Sequence, residues 1–426
     1  MPSDLDQLAP RAATVFRVAE SLGFALVGIA PAQPSEHAEH IRQWLAAGRH
    51  GEMDYLDTGM EQYLDPRVLV PGAKAVICVA DRYAEGTKGQ RDAGTEGGTQ
   101  RDSINPFVPS SLRPSVPSPS GLIARYAQGD DYHHVIKARL HSLANALAVK
   151  WPAHVFRSAV DTAPLLEREH AARAGLGWIG KHTLLIHPQL GSWLLLGEIV
   201  TTLAMATSAE QGWPLRTAPP TDHCGACTRC IDACPTQCIT PYSIDASRCI
   251  SYLTIEHQSA IDPELHEAMG QWIAGCDVCQ EVCPFNGEGG GGPRVEGQGP
   301  RVAAEGGEEG TSADESPLSH ADKLKRLPSP DVAYAPRMPA LPLLEVLNWS
   351  EADRRAAVVR SSLKRIKLEQ FKRNALIAAG NHLMERDDPS LLARIRELAE
   401  DADESQLVRL TAKQVLERLH RLAPRR

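Results

Sequence analysis

The sequence contains no apolar run near the roughly 18 to 20 residues that a membrane-spanning helix needs. Its longest apolar stretch, Trp193 to Val200, is interrupted by Gly197 and Glu198. The N-terminal residues MPSDLDQLAP show neither a basic start followed by an apolar stretch nor a twin arginine. We therefore expect a cytoplasmic protein without a membrane partner. Aromatic residues are few, at 5%, but hydrophobic residues make up 42% of the 426 positions, enough for two or three packed domains.

The net charge of −8 by itself disfavours a nucleic-acid partner, but the charge is unevenly distributed. Residues 287–317 contain 10 glycines, seven acids and two bases, so this stretch alone contributes −5. It can bury too little apolar surface to order itself, and the same holds for residues 86–121, which are rich in Gly, Ser and Pro. We expect a flexible insertion at 86–121 and a disordered linker at 287–320. The other regions are a mixed α and β region (1–217), a cysteine-rich region (218–286) and a helix-forming region (321–426).

Apolar periodicity predicts the local elements of the first region. Apolar residues at helical spacing predict helices, and short apolar, β-branched runs predict buried strands. The predicted helices are Leu5–Leu22, Asp131–Trp151 and Pro164–Ala174. The predicted strands are Phe24–Ile29, Ala75–Ala80 and His154–Val160, followed by a hairpin of Thr183–His187 and Ser192–Thr201 around a turn at Pro188–Gly191.

The ten cysteines are clustered, since nine of them lie between Cys224 and Cys283. In a chain without a secretory signal, this clustering favours metal binding over a disulfide scaffold. The first four have the bacterial ferredoxin spacing C-x2-C-x2-C-x3-C-P, in which the fourth cysteine ligates the neighbouring cluster. A second, altered set follows. The crossover rule therefore predicts two 4Fe-4S clusters, one held by Cys224, Cys227, Cys230 and Cys283, the other by Cys234, Cys249, Cys276 and Cys279.

Two cysteines remain outside these ligand sets. Cys78, in the apolar run AVICVA, is most simply a buried small hydrophobe. Cys238 is expected to pack near the clusters without binding iron. Zinc is the main alternative to the clusters, but zinc sites favour two CxxC pairs or mixtures of Cys and His.

The densest other chemistry lies in VDTAPLLER, residues 160–168, which GLGWIGKHT follows at residues 175–183. Asp161 closes a predicted strand and precedes a predicted helix. A carboxyl group there can be desolvated, which raises its pKa and suits a proton donor. The position also suits a helix N-cap, and the pattern alone favours the cap. Glu167 and Arg168 are interpreted as a structural ion pair.

A basic segment opens the C-terminal region. Residues 354–373 hold eight basic residues against one acid. This composition fits a phosphate backbone and equally fits a solvated helix face, and the segment alone does not separate the two.

Several motifs together resemble the epoxyqueuosine reductase family. They are RYAQGDDYHHVIKARL, VDTAPLLERE, AGLGWIGKHTLLI, GSWLLLGEI, RCISYLTIE, GCDVCQEVCPFN and KLEQFKRNALIAAGN. The resemblance covers most of the chain outside the two low-complexity stretches. It implies the last step of queuosine synthesis, in which the epoxide of epoxyqueuosine is reduced to the alkene of queuosine at the wobble position of tRNA. The implied fold is α+β and multidomain: an α/β corrinoid-binding domain related to reductive dehalogenases, a ferredoxin-like module with two clusters, and an all-α, HEAT-like C-terminal region that binds tRNA.

The resemblance also implies roles for single residues. Asp161 matches the family's proton donor, which now outweighs the cap, and the eight assigned cysteines match its iron ligands. The residues that fall around the family's corrinoid are Tyr63, Tyr126, Tyr132, Asp161, His182, Thr183, Leu185 and Ser251. The residues in its tRNA-facing segment are Lys364, Arg365, Lys372, Arg373 and Asn374. Tyr63 is a departure, because many members carry Arg there, and Arg67 could substitute for it.

The second cofactor implied is cobalamin. The chain lacks the DxHxxG motif that supplies a histidine ligand to cobalt: Asp131-Tyr132-His133 begins one, but no Gly follows at the required position. We therefore predict base-off cobalamin. Deoxygenating an epoxide consumes two electrons and two protons, and low-potential clusters can deliver the electrons. We expect a monomer that receives electrons from a flavodoxin- or ferredoxin-type donor; whether cobalt attacks carbon or binds the epoxide oxygen stays open.

Two other functions are compatible with parts of the sequence. One is a corrinoid and iron–sulfur enzyme, similar to reductive dehalogenases, that acts on a small molecule. Such proteins usually carry a twin-arginine signal, and the basic segment would then have no role. The other is a non-enzymatic electron carrier, which would bind no cobalamin.

Overall fold

The computed structural model describes residues 4–84, 119–209, 223–287 and 329–422. Within these ranges, no helix combines the length and apolar character that a membrane crossing requires. The helices are α1 (Asp4–Ser21), α2 (Ala38–Ala46), α3 (Tyr55–Thr58), α4 (Met60–Leu64), α5 (Pro66–Leu69), α6 (Tyr132–Lys150), α7 (Glu167–Arg173), α8 (Arg229–Asp232), α9 (Ile250–Ile255), α10 (Pro263–His266), α11 (Val278–Glu281), α12 (Leu343–Asn348), α13 (Glu351–Val358), α14 (Leu368–Glu385), α15 (Pro389–Glu400) and α16 (Gln406–Leu422). The strands are β1 (Leu26–Pro31), β2 (Ala75–Arg82), β3 (Ser120–Ile123), β4 (Phe156–Ala159), β5 (Trp178–Ile179), β6 (Leu185–Ile186), β7 (Leu194–Thr201), β8 (Ile239–Thr240), β9 (Ser243–Ile244), β10 (Trp272–Ala274) and β11 (Ala340–Pro342).

A four-stranded sheet with the order β1-β2-β7-β4 organises the first region. Side chains alternate between the faces of a strand, so β2 contributes to two cores. Ile77 and Val79 enter a core with α1 and α6, whereas Val76 and Cys78 enter a core on the α7 side. Cys78 is 1% exposed, as its apolar surroundings predicted. All pairings in this sheet are antiparallel. The α+β class is therefore correct, and the α/β expectation for this region, which implies parallel strands, is wrong.

Most predicted elements of this region are confirmed. The bounds of α1, β1, β2, α6 and β4 agree with the predictions to within two residues. The start of α7 was predicted wrongly, because the helix begins at Glu167 and not at Pro164. The chain before it forms tight turns instead, in which Thr162 N–H donates to Val160 O (2.5 Å) and Leu165 N–H to Ala163 O (2.8 Å).

The predicted hairpin between residues 183–187 and 192–201 is also wrong. β6 pairs with β5, where Ile186 lies opposite Trp178. Both edges of β7 are already used, one by β2 and the other by β4. An isolated bridge between His187 and Gly191 marks the predicted turn.

A three-stranded sheet with the order β10-β3-β11 joins parts of the chain that the sequence had separated. β3 comes from the first region, β10 from the cysteine-rich region and β11 from the C-terminal region. The predicted insertion therefore ends too late, because Ser120 and Gly121 belong to β3, and the C-terminal region is not all-α, because it supplies β11. The rest of the insertion, most of the linker and the predicted boundaries at 217–218 and 320–321 lie outside the described residues.

The C-terminal helices pack on this sheet. α14 lies against β10, α12 and α16, and α15 packs against α16. Their shared core includes Ile123 from β3 and Ile273 from β10 next to Phe371 of α14. The three regions are thus held together by one hydrophobic core.

Candidate functional site

Asp161 lies in the loop that follows β4. Its backbone has φ of 48°, in the left-handed region that non-glycine residues rarely adopt. Its side chain is 43% exposed, and its Oδ2 lies 2.9 Å from His133 Nε2. Its backbone N–H donates to Glu167 Oε1 (2.5 Å). The helix-cap interpretation is wrong, because Leu166 occupies the N-cap position of α7. A rare backbone conformation that surrounding groups impose is typical of functional sites.

His133 links Asp161 to a second carboxylate. Asp131 caps α6, accepting from His133 N–H (3.2 Å), and its Oδ1 also lies 2.8 Å from His133 Nδ1. Burial alone would lower the pKa of His133, but the hydrogen bonds and charges of Asp131 and Asp161 outweigh it and raise that pKa to about 9. At neutral pH the imidazole is therefore cationic and donates from both nitrogens.

The same contacts determine the protonation of Asp161. Burial favours a raised pKa, but the hydrogen bond and positive charge of His133, with a further contribution from Tyr132, hold the pKa of Asp161 below its usual value. The expectation of a raised pKa is thus wrong for this structure. The reason is the imidazolium that the fold places beside the carboxylate. The resting proton resides on His133.

Three tyrosines that were predicted to surround the corrinoid lie around Asp161 and His133. Tyr132 stacks on His133, with ring centroids 4.0 Å apart, and meets Tyr126 edge-on at 6.0 Å. Burial first, and then the Asp161 carboxylate, raise the pKa values of Tyr63, Tyr126 and Tyr132, so all three hydroxyls keep their protons. Tyr63 therefore lies close to Asp161, where an arginine at this position would have placed a guanidinium.

Arg67, the proposed substitute for an arginine at position 63, is already paired. Its Nη2 lies 2.7 Å from Asp65 Oδ2, and its backbone N–H also donates to Asp65. The structure therefore does not leave this guanidinium free for an anionic group.

The loop after β5 carries further residues that were predicted to surround the corrinoid. His182 is 3% exposed, its Nδ1 accepts from Leu184 N–H (3.2 Å), and its Nε2 has no hydrogen-bond partner within the described residues. Burial lowers the pKa of His182 to about 4, so the ring is neutral. Thr183 has φ of 68° and accepts from Arg168 Nη1 at its carbonyl oxygen (2.7 Å). Leu185 is buried in the adjoining strand.

This contact corrects the interpretation of Glu167 and Arg168 as an ion pair. The Arg168 guanidinium bonds to Thr183, and among the described residues its charge interacts with Glu167 without an ion pair within 4.0 Å. Burial, with the nearby carboxylates of Glu198 and Asp161, raises the pKa of Glu167 well above its usual value. Glu167 thus acts as the acceptor for the strained Asp161 backbone.

All ten cysteines lie in the described part of the chain, and none of them forms a disulfide there. The first group of thiols comprises Cys224, Cys227, Cys230 and Cys283. Burial and the charges of the other three raise the pKa of Cys283 to about 12, so Cys283 joins this group although it is distant in sequence. Cys283 also packs with Trp178 and Cys224 in one apolar cluster.

The second group comprises Cys234, Cys249, Cys276 and Cys279. Burial and the charges of Cys249, Cys230 and Cys234 raise the pKa of Cys279, and the charges of Cys279 and Cys249 add to burial at Cys276. Cys249 occupies the N-cap position of α9, and the predicted Ser251 is the second residue of that helix, so it lies beside this group of thiols. Because the charge of Cys230 also raises the pKa of Cys279, the two groups of thiols lie next to each other.

The predicted tRNA-facing residues divide into buried and exposed sets. Arg373 and Asn374 are 0% exposed and Lys372 is 6% exposed. Arg373 donates to the carbonyl oxygens of His257, Ser259 and Leu253, and Asn374 to those of Thr254 and Ile273. Lys372 pairs with Glu404. The tRNA-facing prediction is wrong for these three, because Arg373 and Asn374 join α14 to the cysteine-rich region and Lys372 is paired within the C-terminal region.

Lys364 and Arg365 are at the surface. Their side chains are 44% and 48% exposed. Lys364 Nζ lies 3.7 Å from Asp131 Oδ2, and Arg365 Nη1 lies 2.7 Å from Glu256 Oε1. Asp161 contributes to the charge environment of Arg365, so both bases border the Asp161 site.

Two functional positions were missed from the sequence. His133 was noted only as part of an incomplete DxHxxG motif, although its position two residues after the Asp131 cap made a local Asp–His contact predictable. Its contact with Asp161 depends on how α6 packs beside β4. Glu167 was assigned to a neighbour in sequence, whereas its partner is the backbone of Asp161.

Comparisons with known proteins agree with this geometry. A model of the 4Fe-4S double cluster binding domain matches residues 223–286, so this chain is an iron–sulfur redox protein. A model of epoxyqueuosine reductase QueG, DUF1730, matches residues 64–162. The epoxyqueuosine reductase of Xanthomonas campestris pv. campestris is 41% identical over 276 residues, which cover 65% of this chain and 70% of the relative. That of Pseudomonas aeruginosa is 34% identical over 362 residues, which cover 84% and 82%.

Solved structures share the fold. A selenomethionine-labelled epoxyqueuosine reductase superimposes with a TM-score of 0.67 at 24% identity, covering 96% of this chain and 93% of the other. An epoxyqueuosine reductase crystallised with an epoxyqueuosine-modified tRNA-Tyr stem loop gives a TM-score of 0.65 at 23% identity, covering 96% and 98%. The chain belongs to the epoxyqueuosine reductase family and is an oxidoreductase, as its motifs predicted.

Proposed function

We propose that this chain reduces epoxyqueuosine to queuosine at the wobble position of tRNA, with two 4Fe-4S clusters and cobalamin. The observation that carries the proposal is the hydrogen-bonded series Asp131–His133–Asp161 beside two adjoining groups of four thiols. Tyr126 connects them, because the charges of both Asp161 and Asp277 raise the pKa of its hydroxyl. Asp277 lies in the sequence between two cysteines of the second group. Family membership supports the same reaction.

The thiol groups suit two clusters in series. The first group, with Cys283, would hold one cluster, and the second group, with Cys234, would hold the other, as the crossover rule predicts. Because the second group adjoins Tyr126, its cluster would be the last electron carrier before the reaction centre. A flavodoxin- or ferredoxin-type protein in the cytoplasm would supply the electrons.

The residues around Asp161 fit a corrinoid. His182 Nε2 is buried and has no hydrogen-bond partner in the part of the chain that the structure describes, which is the state expected of a group that bonds a ligand. Thr183 presents its backbone in a left-handed conformation beside it. The full set that would hold the cofactor is Tyr63, Tyr126, Tyr132, His182, Thr183, Leu185 and Ser251. When bound base-off, cobalamin supplies a low-valent cobalt that can reduce the epoxide carbon–oxygen bond.

Asp161 would deliver the proton that His133 stores. The Asp161 carboxylate is 43% exposed, so an overlying cofactor and nucleotide would remove water from it. Desolvation raises the pKa of a carboxyl group and lowers that of an imidazolium. The shared proton then moves from His133 Nε2 to Asp161 Oδ2, from which it reaches the oxygen that leaves the epoxide.

The tRNA would approach over Lys364 and Arg365. These bases border the site, and phosphate contacts there would offset the few kcal/mol that splaying a base from its stack costs. The related enzyme crystallised with a modified tRNA stem loop supports such a complex. Helices α12–α16 would form a HEAT-like support behind this surface.

The experiment is anaerobic reconstitution followed by nucleoside analysis. The protein should contain about eight irons per chain and bind cobalamin with the absorbance of a base-off corrinoid. A strain that lacks this protein should accumulate epoxyqueuosine in its tRNA, and the reconstituted enzyme should convert it to queuosine by mass spectrometry. About four irons or fewer, no bound corrinoid, or no accumulated epoxyqueuosine would overturn the proposal.

A further inference from the structure

Cys238 lies within the second group of thiols although it is not one of the proposed ligands. Its side chain is 5% exposed, and its Sγ lies 3.4 Å from Cys234 Sγ. Its thiol also interacts electrostatically with that of Cys249. The residue directly precedes β8, and Ile239 packs with it in the same apolar cluster.

Ligand counting leaves Cys238 uncoordinated. A 4Fe-4S cluster takes four cysteine ligands, and Cys234, Cys249, Cys276 and Cys279 already supply four to the second group. An uncoordinated thiol keeps its proton and has one S–H bond to donate. The acceptor that the structure places within hydrogen-bond distance of it is the Cys234 sulfur, one of the proposed ligands.

We propose that the Cys238 thiol donates a hydrogen bond to a ligand sulfur of the second cluster, chiefly Cys234, and thereby raises the reduction potential of that cluster. The proposal rests on the cluster assignment in the proposed function. Hydrogen bonds to cluster sulfurs are a recognised determinant of potential. A donor withdraws negative charge from the sulfur, so it stabilises the reduced cluster more than the oxidised one.

The consequence concerns the direction of electron flow. A higher potential at the second cluster favours its reduction by the first, and so holds an electron next to Tyr126 and Asp161. Cys238 would be a positioning residue that acts through a ligand sulfur. It need not contact the corrinoid or the nucleotide.

The test is a potentiometric titration of the reconstituted protein, followed by electron paramagnetic resonance. Cys238→Ala removes the donor, whereas Cys238→Ser keeps a hydroxyl donor of similar size. Both variants should retain about eight irons. In Cys238→Ala, one cluster should shift to a more negative midpoint, so that its reduced-to-oxidised ratio at fixed potential falls severalfold to about tenfold; a tenfold change corresponds to about 59 mV. Cys238→Ser should restore most of this shift.

Cys78→Ala is the matched control, because Cys78 is a buried thiol whose near neighbours are Val76 O and Glu198. It should leave both midpoints unchanged, and a comparable shift there would overturn the proposal. Loss of about four irons in Cys238→Ala would show that Cys238 is a ligand and would also overturn it, as would unchanged midpoints. A wild-type protein with about eight irons but no tRNA product would reject the proposed reaction and leave the potential measurement valid.

Discussion

Asp131→Asn tests whether His133 stores the catalytic proton. The substitution keeps the size of the side chain and removes one of the two carboxylates that hold the imidazolium. Asp131 Oδ1 lies 2.8 Å from His133 Nδ1, and Asp161 Oδ2 lies 2.9 Å from Nε2. The variant should therefore weaken proton storage without removing Asp161.

The magnitude follows from the pKa of His133, which rises from 6.5 to about 9. Each pKa unit corresponds to about 1.4 kcal/mol, so the imidazolium is stabilised by about 3 kcal/mol net, after the opposing cost of burial. The His133 side chain is 23% exposed, so solvent screening reduces this value only in part. If Asp131 supplies about half, the alkaline limb of the activity profile should move roughly one pH unit toward neutral.

Stability provides an independent readout. Below about pH 6.5, His133 is protonated in both the folded and the unfolded chain, and its ionic bonds contribute fully. Between about 6.5 and 9, only the folded chain keeps the proton, so the contribution falls as the pH rises and is lost above this window. The free energy of unfolding of the wild type should therefore decline across the window, and Asp131→Asn should flatten that decline.

The assay compares single-turnover reduction of epoxyqueuosine in tRNA from pH 6 to 10 with the imidazole titration of His133 by NMR. Asp130→Asn is the control, because Asp130 pairs with Arg337 and Arg360 and not with His133. An alkaline limb that stays in place in Asp131→Asn, or an NMR signal of neutral His133 at pH 7 in the wild type, would refute the reasoning.

Three further predictions test the rest of the site. Asp161→Asn should keep about eight irons and the corrinoid absorbance while turnover falls about 10²- to 10⁴-fold; near-normal turnover would contradict its role as proton donor. Lys364→Glu and Arg365→Glu should weaken tRNA binding and reduce the slope of log K against log salt by about 0.7 for each phosphate that the variant no longer neutralises, whereas exposed Lys413→Glu should not; equal slopes in all three would count against the docking surface. Arg373→Met should lower the free energy of unfolding by about 3 kcal/mol, because one buried and two partly buried carbonyl oxygens lose this donor, and a thermal melt close to that of the wild type would show that these contacts are dispensable.

The proposed partition of the cysteines into two ligand sets rests on their spacing. Three cysteines separated by two residues each must share one cluster, and the fourth must turn away, because the loop is too short for any other arrangement. The structure places Cys283 with Cys224 and Cys234 with Cys249, as that rule requires. Local periodicity likewise predicted α6 and β2. Side chains recur along one face of a helix and alternate between the two faces of a strand, so both patterns can be read within a single element.

The electrostatics of the site could not be predicted, because they depend on contacts between distant elements. A run of basic residues has the same appearance whether it faces water or a protein interior. Arg373 is buried because α9 and the loop after it present carbonyl oxygens to α14, about 115 positions away in sequence. The pKa of Asp161 fell instead of rising, since the start of α6 brings His133 against it.

The shared sheet of β3, β10 and β11 also limits how the molecule can be dissected. A fragment that stops before Ala340 would strip β11 from Ser120–Ile123 and leave an unpaired strand edge, which is a template for aggregation. A fragment restricted to the cysteine-rich stretch would likewise lose the partner of Trp272. Attempts to produce the iron–sulfur portion alone should therefore yield insoluble material, and the loading of metal should be coupled to the folding of the entire chain.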